Sequence, residues 1–233
     1  MITNQFFEWL GGLIDADGGF YISKKGYGCI EITMHIKEIQ TLYFIKKKCH
    51  GSVSLRAGAQ AARWRLHRKQ HLLYICSGLS GHIRTLNRQS QFIKICKTYN
   101  LHYKVPETLR YENAWFSGFF SGEGCLYINK NTFQCTISVS QKEKNILYNI
   151  QRIYKGNIFF DISWQGWVWQ LSNKHHCNQV LDYFSKYSTQ NPYKQAKIKS
   201  FKRFLIYKEK GYHLDPLKKE KLVHFIKVFE IKD

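Results

Sequence analysis

The sequence predicts an α+β fold made of two pseudo-symmetric αββαββα repeats, each with its own antiparallel sheet. Three observations carry this. The stretch "WLGGLIDADGGFYIS" from Trp9 returns as "WFSGFFSGEGCLYIN" from Trp115. Landmarks downstream keep the same spacing: Gly51 and Gly156, Trp64 and Trp169, and His71 and His176 are each 105 residues apart. In both copies the apolar period switches from helical to alternating in the same order.

In the first copy a helix over residues 4–15 leads into a strand around 20–25. After a glycine-containing turn, "CIEITMHI" alternates as a second strand. The run "KEIQTLYFIKKKC" places Ile39, Leu42, Tyr43 and Ile45 at helical spacing, and Gly51 ends it. "SVSLR" and "RWRLHR" read as two more strands. "KQHLLYICSGL" and "NRQSQFIKICKTY" close the unit as helices. The polar run "KVPETLRYEN" with Pro106 reads as a linker, so the division falls between 1–105 and 106–233. The last stretch, "KEKGYHLDPLKKEKLVHFIKVFE", reads as one basic surface helix.

A chain of 233 residues, 44% hydrophobic, can bury a sizeable core, and its net charge of +20 makes an anionic polymer the leading partner. Aromatics make up 16%, so that charge sits on a folded body. No apolar run approaches about 18 residues and no long amphipathic basic helix is evident, so a membrane is not expected as a partner. Seven cysteines without a CxxC pair read as reduced thiols, mostly core filler, and the ten histidines form no zinc spacing. Periodicity begins at Phe6 with no leader ahead of it. The chain is therefore expected to act in the compartment that makes it, unless it has been trimmed.

The first motif, Leu10-Gly11-Gly12-Leu13-Ile14-Asp15-Ala16-Asp17-Gly18, and the looser second, Phe116-Ser117-Gly118-Phe119-Phe120-Ser121-Gly122-Glu123-Gly124, lie with Asp17 and Glu123 106 residues apart. In these motifs the chain resembles the LAGLIDADG homing endonucleases in their single-chain form. The resemblance implies two motif helices side by side on a pseudo-twofold axis, small residues letting them approach. Asp17 and Glu123 would meet beneath that axis, each at a helix C-terminus where the dipole disfavours a carboxylate. A divalent cation, Mg²⁺, would offset this, held by both acids and by the carbonyls of Ala16 and Gly122. The alternative is a small-residue helix pair with incidental surface acids, against which the matching acid of the second copy argues. Asp15, whose counterpart is Ser121, reads as a hydrogen-bonding residue at the helix end, with the metal site as the alternative. Gln141 matches the family's water-organising glutamine, and copy one has Ile36 there. Lys194 and either Arg84 or Arg88 are the basic candidates near the scissile phosphates, plain surface cations being the alternative.

By the same resemblance the sheets form a DNA-binding saddle. Alternation puts Tyr21, Ser23, Lys25, Glu31, Thr33, His35, Arg63, Arg65 and His67 on one face of the first sheet. It puts Tyr127, Asn129, Asn131, Gln134, Thr136, Ser138, Ser140, Gln170 and Ser172 on the second, with Asn157 and Asp161 beside them. These side chains suit base edges in the major groove, where an ordinary solvated sheet would carry more Lys/Glu pairs. The expectation is a monomeric, Mg²⁺-dependent endonuclease cutting a long asymmetric duplex. The alternatives are an RNA-binding intron maturase on the same fold, with intron RNA as partner, and an inactive DNA-binding module. The excess of lysine over arginine, with abundant Tyr, Phe, Ile and Asn, fits an AT-rich organelle genome.

Overall fold

The computed structural model describes residues 2–231. The first repeat runs α1 (Asn4–Asp17), β1 (Gly18–Ile22), β2 (Gly28–His35), a 3-10 turn (Ile36–Glu38), α2 (Ile39–Cys49), β3 (Ser52–Leu55), β4 (Ala61–Leu66), α3 (Lys69–Leu79) and α4 (Leu86–Tyr99). The second runs α5 (Trp115–Glu123), β5 (Gly124–Ile128), β6 (Cys135–Gln141), α6 (Lys144–Tyr154), β7 (Asn157–Asp161), β8 (Gly166–Leu171), α7 (Lys174–Lys186) and α8 (Pro192–Glu209), and α9 (Pro216–Ile231) follows. The antiparallel sheets have equivalent orders, β1-β2-β4-β3 and β5-β6-β8-β7.

The repeats solve the same local problems with the same devices. After α2 and α6 the chain turns through His50 (φ 64°) and Gly51 (φ 88°), and through Lys155 (φ 63°) and Gly156 (φ 89°). A Cβ on Gly51 would stand 2.5 Å from the Arg65 carbonyl oxygen, and one on Gly156 2.6 Å from that of Gln170, so glycine is needed twice over. The indoles of Trp64 and Trp169 donate to the carbonyls of His50 (2.7 Å) and Lys155 (2.6 Å), tying β4 and β8 to the preceding helices.

β2 and β4 alternate between buried and half-exposed residues, so Ile30, Ile32, Met34, Ala62, Trp64 and Leu66 face the helices and the polar set faces out. The first strand starts two residues earlier than the sequence suggests and ends at Ile22. From Ser23 the chain is already turning, with the Ser23 amide donating to the Tyr27 carbonyl and Gly26 at φ 81°.

The C-terminal stretch differs from expectation. Gly211 (φ 73°) and Pro216 break it, so α8 ends at Glu209 and α9 begins at Pro216. Nor is α9 only a surface element. Leu222, Ile226 and Phe229 are buried at helical spacing, and Phe229 and Phe225 meet Phe201 and Phe204 of α8. The segment joining the repeats has no regular structure but is pinned. Leu109 is buried, and its carbonyl accepts from Arg152 (3.0 Å).

Candidate active site and nucleic-acid interface

α1 and α5 meet backbone to backbone. A Cβ on Gly12 would lie 2.0 Å from the Trp115 carbonyl oxygen, and one on Gly118 1.8 Å from that of Trp9. These reciprocal contacts leave no room for any side chain, and they bring the two helix C-termini together. At Gly122 an added Cβ would fall 2.5 Å from the Asp17 Oδ2 and 2.7 Å from the Ala16 Cβ. The end of one motif therefore lies against the carboxylate of the other.

Asp17 and Glu123 each end a motif helix, immediately before the first strand of a sheet. Burial, with repulsion from Glu123 and Glu38, raises the Asp17 pKa to about 7. Burial raises that of Glu123 to about 7 as well. Lys194 and Arg88 oppose both shifts without cancelling them. Two half-buried carboxylates with raised pKa values, at helix ends that lie against each other, offer hard oxygens of the kind a divalent cation takes.

Around the acids, the Gln141 Nε2 is 3.5 Å from the Glu123 Oε1, and its own carbonyl oxygen accepts from the Lys142 amide (2.8 Å). The Lys194 ammonium donates to the Gly124 carbonyl and lies 5.9 Å from the Phe120 ring centre. Arg88 sits on the first turn of α4 with its Nη1 3.5 Å from the Gln91 Oε1. Of the two arginines left open by the sequence, Arg84 is engaged elsewhere. Its guanidinium donates to the Glu107 carbonyl and lies 5.8 Å from the Trp115 ring centre, because it precedes the helix and points back to the linker.

Asp15 is buried and accepts four bonds: from the amides of Arg84 (2.7 Å) and Thr85 (3.0 Å), the Thr85 hydroxyl (2.7 Å) and the Trp115 indole (2.8 Å). Its counterpart Ser121 is also buried and donates to the carbonyls of Ser117 and Thr189, both at 2.8 Å. The structure thus gives Asp15 the hydrogen-bonding position.

On the first sheet the outward face carries Tyr21, Glu31, Thr33, His35, Arg63 and Arg65 in register. The Glu31 carboxylate accepts from Arg65 Nη2 on both oxygens (2.8 and 3.0 Å) and from Arg63 Nη1 (3.2 Å), so one acid organises both arginines. Ser23 and Lys25 lie in the hairpin turn and His67 just beyond β4. With Tyr21, Glu31 and Arg65 they line an open groove of about 800 Å³.

On the second sheet Tyr127, Ser138, Ser140 and Gln170 take the outward positions, with Asn157 opposite Gln170. Gln134, Asn157, Gln170 and Ser172 line a second groove of about 500 Å³. Thr136 is a correction: it is 8% exposed, and its hydroxyl lies 3.1 Å from that of Ser172. Asn129 and Asn131 belong to a turn in which the Asn129 side chain accepts from the amides of Asn131 (2.9 Å) and Thr132 (3.0 Å). Asp161 is taken up by the amide (2.9 Å) and hydroxyl (2.6 Å) of Ser163. Two further outward residues are not of the polar types expected there, exposed Cys125 opposite Ser138 and exposed Phe159 opposite Val168.

Comparison with known proteins gives a consistent picture. The family described as LAGLIDADG endonuclease matches residues 10–99 and 116–207. A Saccharomyces cerevisiae protein named intron-encoded RNA maturase bI4 is 37% identical over 226 residues, covering 94% of this chain and 34% of its own length. A Debaryomyces hansenii protein named probable intron-encoded endonuclease aI2 is 32% identical over 215 residues, covering 84% and 32%. The chain thus spans about a third of the length of these relatives. Among solved structures, the LAGLIDADG meganuclease I-AabMI bound to uncleaved DNA superposes with a TM-score of 0.77 at 19% identity, covering 97% of this chain and 98% of the other. The homing endonuclease I-LtrWI bound to target DNA gives 0.68 at 16% identity, covering 96% and 97%. Those two likenesses are of fold. With both repeats matched by one family, the chain belongs to the LAGLIDADG endonucleases.

Proposed function

We propose that the chain is a site-specific, Mg²⁺-dependent DNA endonuclease that acts as a monomer and hydrolyses both strands of a long asymmetric duplex. The observation that carries this reading is the half-buried pair Asp17 and Glu123, one at the end of each motif helix and each leading into the first strand of an outward polar sheet. The two carboxylates and the carbonyls of Ala16 and Gly122 would hold the cation, which supplies positive charge to the phosphoryl oxygens and the leaving oxygen. The Gln141 amide, beside Glu123, orients the water that attacks phosphorus while the P–O3′ bond breaks. Lys194 and Arg88 add positive charge where the phosphate becomes more negative. The two sheets carry different residues, Arg63 and Arg65 against Val168 and Gln170, so the half-sites they read should differ.

The relative named an RNA maturase favours a second reading, binding of a structured intron RNA, and intron-encoded relatives together with the lysine-rich composition support an organelle genome as source. One experiment separates the readings. Purified protein is incubated with a plasmid library carrying a randomised duplex insert, in Mg²⁺ or in Ca²⁺. Recovery of cut sequences in Mg²⁺ alone, abolished by Asp17→Asn and by Glu123→Gln with DNA binding retained, supports the nuclease. Tight binding to a structured intron RNA without cutting supports the maturase.

A further inference from the structure

The two cations that bear on both acids sit on first turns of helices, Arg88 on α4 and Lys194 on α8, 106 residues apart. Their placement depends on how those helix starts are anchored. At α4, four consecutive amides donate to carboxylates. Arg84 and Thr85 donate to Asp15, while Leu86 and Asn87 donate to the two oxygens of Glu143 at 2.8 and 3.0 Å. Asp15 lies in the same repeat as α4, and Glu143 comes from the other.

At α8 the N-cap is fully buried Asn191. Its Oδ1 accepts from the Lys194 amide (3.2 Å) and its Nδ2 donates to the Glu38 Oε1 (2.7 Å). Glu38 also comes from the opposite repeat. Glu38 and Glu143 are 105 residues apart and equivalent, being the residues just before α2 and α6. An acid in that position usually caps its own helix, but neither carboxylate does. Both reach across to the helix that carries the other repeat's cation.

We propose that Glu38 and Glu143 are positioning residues, each fixing from one repeat the active-site cation of the other, and that each thereby governs cleavage of one DNA strand. The strand assignment rests on the endonuclease reading. The strands of a duplex are related by local twofold symmetry, so a pseudo-twofold protein presents one member of each equivalent pair to each strand. Arg88 and Lys194 form such a pair. Displacing one by about 1 Å is expected to slow its own strand on the order of ten- to hundredfold.

Two measurements on Glu143→Ala and Glu38→Ala test this. Hydrogen exchange followed by mass spectrometry needs no DNA. Glu143→Ala should speed exchange over residues 86–89 and leave 192–195 unchanged, and Glu38→Ala should do the reverse. Unchanged exchange, or the same change at both helices, overturns the positioning role. Strand-resolved cleavage in Mg²⁺ uses the plasmid recovered from the library above. Glu143→Ala should accumulate product nicked in one strand and Glu38→Ala product nicked in the other, with affinity for the plasmid insert in Ca²⁺ retained. Glu143→Gln, which keeps one acceptor oxygen, should restore part of the rate. Equal slowing of both strands overturns the strand assignment. A library left uncut by the unaltered protein overturns it together with the endonuclease reading, while exchange still decides the anchoring.

Discussion

Replacing Asp17 by Asn should stabilise the metal-free protein above neutral pH and do progressively less towards pH 5. In the folded chain burial and Glu123 raise the Asp17 pKa to about 7, against an ordinary 3.8. Between those values the folded state keeps a proton that the unfolded state has lost. The unaltered protein therefore loses stability as pH rises through this window and levels off above about pH 7. Each pH unit is worth about 1.36 kcal/mol, so ionising Asp17 costs about 3 kcal/mol more at pH 8 than at pH 5. Asparagine has no such titration, and its cost of burial is the same at both pH values. Urea unfolding in EDTA, followed by tryptophan fluorescence, should show the stability difference (Asp17→Asn minus unaltered) growing by about 3 kcal/mol from pH 5 to pH 8. Millimolar Mg²⁺ should reduce or reverse it at pH 8, because only the unaltered chain keeps both acids to bind a cation. A difference that does not change with pH would refute the argument that the acids are held against their own desolvation.

Gly118→Ala sets a Cβ 1.8 Å from the Trp9 carbonyl oxygen and must part α1 from α5 by more than about 1 Å; a loss of about 3 kcal/mol or more is expected in thermal melting. Gly26→Ala, where a Cβ meets nothing but φ is 81°, should cost about 1 kcal/mol by the same measure. Affinity for the recovered duplex should fall on the order of 10³-fold between roughly 50 and 200 mM salt, measured by fluorescence anisotropy, as expected of many phosphate contacts. Glu31→Gln weakens the clamp on Arg63 and Arg65, so competition with singly substituted duplexes should show discrimination at guanines in that half-site relaxed by about 1–3 kcal/mol while non-specific affinity rises.

Much of the fold was legible because it is written twice. The 105-residue spacing of Gly51 and Trp64 to Gly156 and Trp169 reflects one turn, with the same positive φ values and the same indole bond in both halves. The spacing also carries information outside the two motifs. Arg88, and not Arg84, stands 106 residues before Lys194, and Glu38 aligns with Glu143 in the segments that establish the repeat. A carboxylate before a helix reads as an ordinary cap, and only three dimensions reveal that both turn to the opposite repeat. Alternation gave the outward faces of β2 and β4 correctly but failed at strand ends. Ser23, Lys25 and Asn131 follow turn geometry, and Thr136 is covered by Ser172. The C-terminal stretch misled because its six lysines draw attention to a solvated face, although Leu222, Ile226 and Phe229 by themselves complete a packed stripe.

The contact of Gly12 and Gly118 with the opposite main chain bears on how such a protein can change its target. Where two helices are separated by side chains, substitutions at the crossing adjust their spacing by degrees. Here the spacing is set by peptide groups, which every sequence shares, and the acids hang directly from those helices. In the proposed reaction the stagger between the two cuts is therefore a property of the main chain. The residues of the outward sheet faces can be exchanged one after another, each exchange altering which duplex is bound, while the breaks stay the same distance apart and the ends left behind keep the same form.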